Sequence, residues 1–506
     1  MALIINTADP SSWPTYPEAQ HHIYNGLDSP LTLEIMGVLR QSLGHNSPFR
    51  WAYDFERRMQ GPALTIMRRG IKVDMAARDF AVQKLKGRVI RLEYVLNRLA
   101  FVWWGNNLNP RSSHQLCLFF YDHLGLPEQF RRTKGKRSRS CDRDALETLR
   151  DYIHVRPICN AILSIREISK EIETLERGVD SDSRFRFSLN IAATETGRTS
   201  SSKNWKGTGG NIQNWKDDIR DIFVPDAGYK LGYFDYKQGE SYIVAYEAEE
   251  ERLIAALASG DLHTYCARLI WPHLPWSGDI KKDKTIALKA YYRHFSYRDI
   301  SKRGGHSRNY MAKPWTLSHT LKISLYLATE FCEHYDKAFP GIPLWQQSTI
   351  SELQRSKDDF GCHFLTTALG FRRHFFGRIW DEATWREAIA FRPQSTLGQM
   401  CQEGIYRLWK AELSGAPWQI LANMHDAALL QFPVGHDDET VSAVSTLMTQ
   451  PLQIKNRTMT IPVEASLGFN WRSYKKGGLL EEHSGPGSTA HQSRPTFVPV
   501  LDRPIF

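Results

Sequence analysis

The strongest constraint on this chain is a pair of carboxylates, Asp235 and Asp426, far apart in sequence but each set in a short motif. The first motif is Gly232-Tyr233-Phe234-Asp235-Tyr236-Lys237-Gln238-Gly239-Glu240-Ser241. It reads as an apolar strand that delivers one carboxylate, with a Gln and a Glu close behind. The second is Asn423-Met424-His425-Asp426-Ala427-Ala428-Leu429-Leu430-Gln431-Phe432. There a His-Asp turn separates two apolar runs, 420–424 and 427–432, which is a hairpin pattern. A single Asp at a strand end is usually a turn cap. Two hairpin-borne carboxylates brought side by side repel each other unless divalent cations neutralise them. Magnesium held by carboxylates and substrate phosphates is the usual solution, and a pair of such ions suits phosphoryl transfer.

Between the two motifs, Arg298, Lys302, His306 and Tyr310 recur every four residues. On a helix each lies about one turn beyond the last, so they form one drifting stripe. A cationic stripe that ends in an aromatic suits a triphosphate with a base stacked beyond it. At this point the sequence resembles DNA polymerase family A, the group of bacterial DNA polymerase I and many phage replicative enzymes. The three segments look like its motifs A, B and C, in the family's order. The resemblance extends to Thr196-Gly197-Arg198-Thr199-Ser200-Ser201, Asn211-Ile212-Gln213-Asn214, Gly260-Asp261-Leu262-His263-Thr264, Gly370-Phe371-Arg372-Arg373 and Pro393-Gln394-Ser395-Thr396. Glu464, Gly468, Asn470 and Trp471 match the family's closing palm strand.

The resemblance implies an α+β polymerase right hand: a palm with an antiparallel sheet, and helical fingers and thumb. Residues 51–184 would form the thumb and its lead-in helices, and 185–475 the palm with fingers inserted at about 243–385. Asp235, Asp426 and the backbone carbonyl of Tyr236 would hold two magnesium ions, with manganese as an alternative. Gln238, Glu240, His263, Arg298, Lys302, His306 and Tyr310 would bind the incoming deoxynucleoside triphosphate. Lys302 would also protonate the leaving pyrophosphate, and Glu240 with Tyr310 would close the space where a 2′-hydroxyl lies. Arg198, Asn211, Gln213, Asn214, Gln394 and His425 would contact primer and template.

The net charge of +10 favours a polyanionic partner. Its distribution says more: Arg131-Arg132-Thr133-Lys134-Gly135-Lys136-Arg137-Ser138-Arg139-Ser140 holds six cations and no carboxylate. This segment reads as a thumb-tip loop that grips duplex phosphates through Arg131, Arg132, Lys134, Lys136, Arg137 and Arg139. The seven cysteines are scattered, which suits reduced thiols in a cytoplasmic setting (the host's, for a viral enzyme) and argues against zinc. No run of 18 apolar residues suggests a membrane span. Residues 476–506, rich in Gly, Ser and Pro, read as a structureless tail.

Tyr24 and Asp28 look like the last motif of the family's 3′–5′ exonuclease domain, so residues 1–50 read as its remnant. The carboxylates that such a site needs before them are missing, and this chain alone is not expected to proofread. A separate exonuclease polypeptide would be the partner that supplies them. The expected activity is template-directed DNA synthesis, of a phage-type replicative kind from the form of motif B. The rivals are a single-subunit RNA polymerase, which Glu240 disfavours, and a degenerate DNA-binding replication factor, which the intact Asp pair disfavours. Departures from the family pattern are Lys237 and Tyr242 in motif A, Met311 where Gly follows the motif B Tyr, and Ala427 after the His-Asp of motif C.

Overall fold

The computed structural model describes residues 17–44, 47, 49–133, 136–292, 295–472 and 481–483. Helix α1 (Pro17–Ser42) carries Asp28 on an exposed surface. None of its described side chains is buried; Leu33, Ile35 and Val38 face water. Helix α2 (Arg50–Arg69) buries Phe55, Met59, Pro62, Ala63 and Ile66, one apolar stripe at helical spacing. Helix α3 (Met75–Trp104) starts at Asp74, whose carboxylate accepts from the Ala77 amide at 3.0 Å. It stops at Gly105, whose φ of 72° makes the left-handed cap that favours glycine. It packs along α4 (Arg156–Glu176), which buries Ile158, Ile162, Ile165, Ile168 and Ile172.

The basic segment in this region is an antiparallel hairpin, where a loop is expected from its composition. Phe130–Thr133 pairs with Lys136–Arg139, Arg131 opposite Ser138. Such a small exposed ribbon tolerates charged side chains because water solvates them. Lys134 lies outside the described residues.

The palm sheet contains β1 (Tyr229–Tyr236), β2 (Gln419–Asn423), β3 (Ala427–Pro433), β4 (Val463–Gly468) and β5 (Glu481–His483). Their order is β2-β3-β1-β4-β5, antiparallel throughout. Strand β3 is buried from Ala427 to Phe432, which explains a run that is apolar except for Gln431, whose buried amide donates to Asp226 and Gln419. Asp235 stands on the central strand, and β1 turns directly into helix α5 (Gly239–Glu247). The first carboxylate is therefore delivered by a strand-to-helix turn; only Asp426 sits on a hairpin. Strand β5 falls within the stretch expected to be a structureless tail. A polar edge strand needs no apolar period, because it satisfies the open backbone of β4 at Ala465 to Leu467. The remainder of that tail lies outside the described residues.

The stretch expected to form the fingers includes α6 (Leu262–Ile270), α7 (Tyr297–Asn309), α8 (Pro314–Leu321), α9 (Leu325–Ala338) and α10 (Gly341–Arg355). Together with Val244 and Ala245 of α5, they enclose one core around Trp271, Phe331, Tyr335, Phe339 and Trp345. Helix α11 (Glu382–Leu413) returns the chain to the palm. Palm and thumb share a second core that reaches from Phe55 to Trp471.

Candidate active site

The turn at Asp426 is tightly tied to β1. The Met424 amide donates to the Ala427 carbonyl at 2.8 Å, and the Tyr236 amide donates to the Asp426 carbonyl at 3.2 Å. Asp235 pairs with Ala427 on one side and Glu464 on the other. Both carboxylates thus reach one cleft of about 460 Å³, lined also by Gln238, Glu240, His263, Lys302 and His306. Burial, with Glu240 acting the same way, raises the Asp426 pKa above the ordinary carboxylate value against the pull of Arg198. Tyr236 is buried, and its hydroxyl donates to the Met448 carbonyl at 2.6 Å, which anchors the residue between the two Asp positions.

Helix α7 presents the cationic stripe because its opposite side is committed elsewhere. Ser296 and Asp299 cap its start reciprocally. Ile300, Ser301, Gly304, Gly305 and Asn309 are buried. A Cβ on Gly304 would stand 2.6 Å from the Phe331 ring, so the glycine lets α9 come close and leaves Lys302 and His306 facing the cleft. Arg298 does not stand alone: Asp261, which also caps α6, accepts from it at 2.9 Å. His263, one residue into α6, is half-buried beside Arg298 and Lys302. Burial first, and then these two cations, lower its pKa to about 4. It is a neutral imidazole at pH 7. An adjoining cleft of about 790 Å³ adds Lys281 and Lys284, two cations that no motif in the sequence singles out. The run Ile280-Lys281-Lys282-Asp283-Lys284 is the one signal of them, and without the fold it looks like any solvated helix face.

Glu240 joins two expected sites. The Tyr310 hydroxyl donates to it at 2.5 Å, and Arg198 donates to its other oxygen at 2.6 Å. His306 meets the Tyr310 ring edge-on at a centroid distance of 5.2 Å. Arg198 also donates to the Gln394 carbonyl at 3.1 Å.

The remaining expected DNA contacts divide. Gln213 is buried and donates to the Asn423 carbonyl at 3.1 Å, so it braces motif C from within. Asn211 accepts from Ser201 at 2.9 Å and caps the short turn that follows. Asn214 is exposed in a separate cleft toward α4. His425 Nδ1 and Asn423 Nδ2 are buried with no hydrogen-bond partner among the described residues. Such atoms are costly unless something else reaches them.

On the hairpin, Arg131, Lys136 and Arg137 are exposed, and the Arg137 guanidinium covers the Phe130 ring at 3.8 Å. Arg139 is engaged by Asp122 at 2.6 Å and Glu128 at 3.2 Å. It is a brace for the hairpin and not a free cation.

Gln238, Met311 and His425 all have positive φ, at 53°, 62° and 69°. Residues other than glycine rarely adopt this region, and they gather at functional sites. The φ of Met311 shows why glycine suits that position.

A family model for DNA polymerase family A matches residues 82–473. The chain belongs to DNA polymerase family A. It is 27% identical over 471 residues to the thermostable DNA polymerase I of Thermus thermophilus, covering 88% of this chain and 51% of that protein. It is also 27% identical over 385 residues to DNA polymerase I of Mycobacterium tuberculosis, covering 72% of this chain and 38% of that protein. It spans about half the length of the first of these relatives and less of the second. Among solved structures it resembles the POL domain of Pol1 from M. smegmatis, in a complex with DNA primer-template and dNTP. The TM-score is 0.68 at 23% identity, over 82% of this chain and 70% of that one. The fold is therefore the α+β polymerase right hand. Among the described residues, no helix is long and apolar enough to cross a membrane.

Proposed function

We propose that this chain is a DNA-directed DNA polymerase that adds deoxynucleotides to a primer 3′ end and releases pyrophosphate. One observation carries the reading: both carboxylates, Lys302 and His306 of the α7 stripe, and Glu240, which accepts from Tyr310, open onto one cleft, with Arg298 on the adjoining one. Arg298, Lys302, Lys281 and Lys284 would hold the triphosphate, with His263 as a neutral donor. Lys302, which lines both clefts, would give a proton to the leaving pyrophosphate. Glu240 and Tyr310 would exclude a 2′-hydroxyl by occupying its place. Arg198 and His425 would meet the primer end from the minor-groove side, where every base pair offers similar acceptors.

The donor set fits magnesium. Two carboxylates share a cleft in which burial disfavours the charge on Asp426, and divalent cations relieve that conflict. Asp235, Asp426 and the Tyr236 carbonyl would hold the ions, with manganese as an alternative. When bound, two such ions supply an activated 3′-oxygen and a stabilised leaving group. Among the described residues, no group of three or more His, Cys, Asp or Glu gathers as a metal site. Substrate phosphates and water would therefore complete the coordination. The phage-type replicative reading rests on the form of motif B.

Primer extension tests the proposal. Magnesium-dependent extension by deoxynucleotides is expected, and Asp235→Ala should reduce it to background. A second readout is thermal: magnesium should raise the melting midpoint of the wild type and not that of the Asp235→Asn/Asp426→Asn double variant. Extension by Asp235→Ala near the wild-type rate would sink the assignment.

A further inference from the structure

Two of the seven cysteines meet at the root of the basic hairpin. Cys117 and Cys141 lie 24 positions apart in sequence, yet their sulfurs are 3.8 Å from each other. Both backbones are held in place. Cys117 ends the short helix Ser113–Cys117, which Ser112 caps by accepting from the Gln115 amide. Arg166 of α4 donates to the Cys141 carbonyl at 2.7 Å, and the next residue, Asp142, caps the helix Arg143–Leu149. Just before Cys141 the hairpin closes. The Ser140 amide donates to the Gln129 carbonyl at 2.9 Å, and the Tyr121 hydroxyl donates to the Ser140 carbonyl at 2.5 Å. The two thiols differ in access: Cys141 is buried, and Cys117 is half-buried. Burial pushes the Cys141 thiol pKa up to about 12, against the pull of the Arg166 charge. A buried structural thiol is inert by itself. Here its neighbour is open to reagents. A disulfide needs sulfurs about 2.05 Å apart. The remaining ~1.8 Å is within the swing of a side chain about its Cα–Cβ bond.

We infer that Cys117 and Cys141 are a reversible modification site: a small disulfide compound oxidises them to a disulfide that locks the root of the basic hairpin. The Cys117 thiolate, its proton lost to water, attacks one sulfur of the compound. The compound's S–S bond breaks, and one thiolate departs. Cys117 is left in a mixed disulfide. Cys141 then attacks the Cys117 sulfur, and its proton goes to the second departing thiolate. Two protein thiols are oxidised, and one disulfide compound is reduced to two thiols. A dithiol reverses the sequence by the same exchange. The new bond ties the residue before the Leu118–His123 turns to the residue after the hairpin, so the Phe130–Arg139 end of the ladder can no longer part from Tyr121. The cations Arg131, Lys136 and Arg137 stand on that ladder. The inference stands apart from the polymerase reading, since it needs only the two sulfurs and the hairpin between them.

The test treats the full chain, folded and reduced, with oxidised glutathione. The protein is then denatured, its free thiols are alkylated, and its peptides are mapped by mass spectrometry. In the wild type Cys117 and Cys141 should both escape alkylation and appear as one linked peptide pair, while the other five of the seven cysteines are alkylated. Dithiothreitol should return both to the alkylated set. Cys141→Ala should stop at the first step, with glutathione on Cys117. Cys117→Ala should leave Cys141 alkylated, because the buried thiol meets no reagent. Alkylation of both residues in the treated wild type overturns the site, and so does glutathione that stays on Cys117 there. These readouts use the wild type, so they hold even if a variant folds poorly. Hydrogen exchange reads the lock. Amides of the hairpin should exchange at least about threefold more slowly in the oxidised protein, with those of β1 and β3 unchanged. Equal hairpin exchange in the two forms overturns the lock.

Discussion

His263 shows how one residue in the cleft links chemistry to stability. Its pKa falls from 6.5 to about 4, chiefly through burial. The unfolded chain takes up a proton below about pH 6.5, and the folded chain resists until about pH 4. Stability from this group is therefore intact above pH 6.5 and declines as the pH falls toward 4, by up to about 3 kcal/mol. His263→Gln carries no titrating group. Its melting midpoint relative to wild type should climb steadily between pH 6.5 and 4; parallel curves would show that His263 titrates normally. Glu240 makes a second prediction. Glu240→Ala removes the acceptor for both Tyr310 and Arg198. Ribonucleotide incorporation should rise about tenfold or more relative to deoxynucleotide incorporation, worth ~1.4 kcal/mol in the barrier. Tyr310→Phe keeps the ring and loses only the hydrogen bond, so it should move the preference less. An unaltered preference in Glu240→Ala would remove the pair from sugar selection.

At the scale of elements, the basic hairpin separates cations by what they face. Replacing Arg131, Lys136 and Arg137 with Ala should weaken primer-template binding and flatten its log–log salt dependence by roughly 0.9 for each phosphate that is no longer neutralised. Arg139→Ala should leave that slope alone, since Asp122 and Glu128 already engage Arg139. Binding titrations across a salt series check both; a slope unmoved by the triple variant would place the hairpin away from DNA. Helix α7 is legible from its four-residue spacing, because a helix has a fixed pitch. The hairpin is not, because charged exposed strands lack the apolar alternation that marks a half-buried one. Strand β5 is hidden for a related reason: it exists through backbone pairing to β4.

Across the whole molecule, the fingers and the palm keep separate cores, with the partly buried Tyr242 and Tyr246 packed on both. Such a layout lets the fingers open at less cost than either core would. Adding primer-template, deoxynucleotide and magnesium should slow amide hydrogen exchange in α6 and α7 more than in β1 and β3. Equal protection in all four would mean that the fingers do not close on the nucleotide.

By itself the sequence determined the chemistry on offer: two carboxylates in strand-turn motifs, a cationic helical stripe, and a Glu and Tyr at set positions. Local spacing carries that information because strand and helix periods are set by the backbone. Only the tertiary structure decided which of these groups line the cleft and which brace one another. Gln213, read as a DNA contact, is buried under motif C. Arg298 shares its charge with Asp261, and Arg198 with Glu240. Lys281 and Lys284 stand out only because the fold brings them into one cleft with Arg298 and Lys302. Burial and partner choice depend on which surfaces of distant segments meet, and no local pattern in the chain records that.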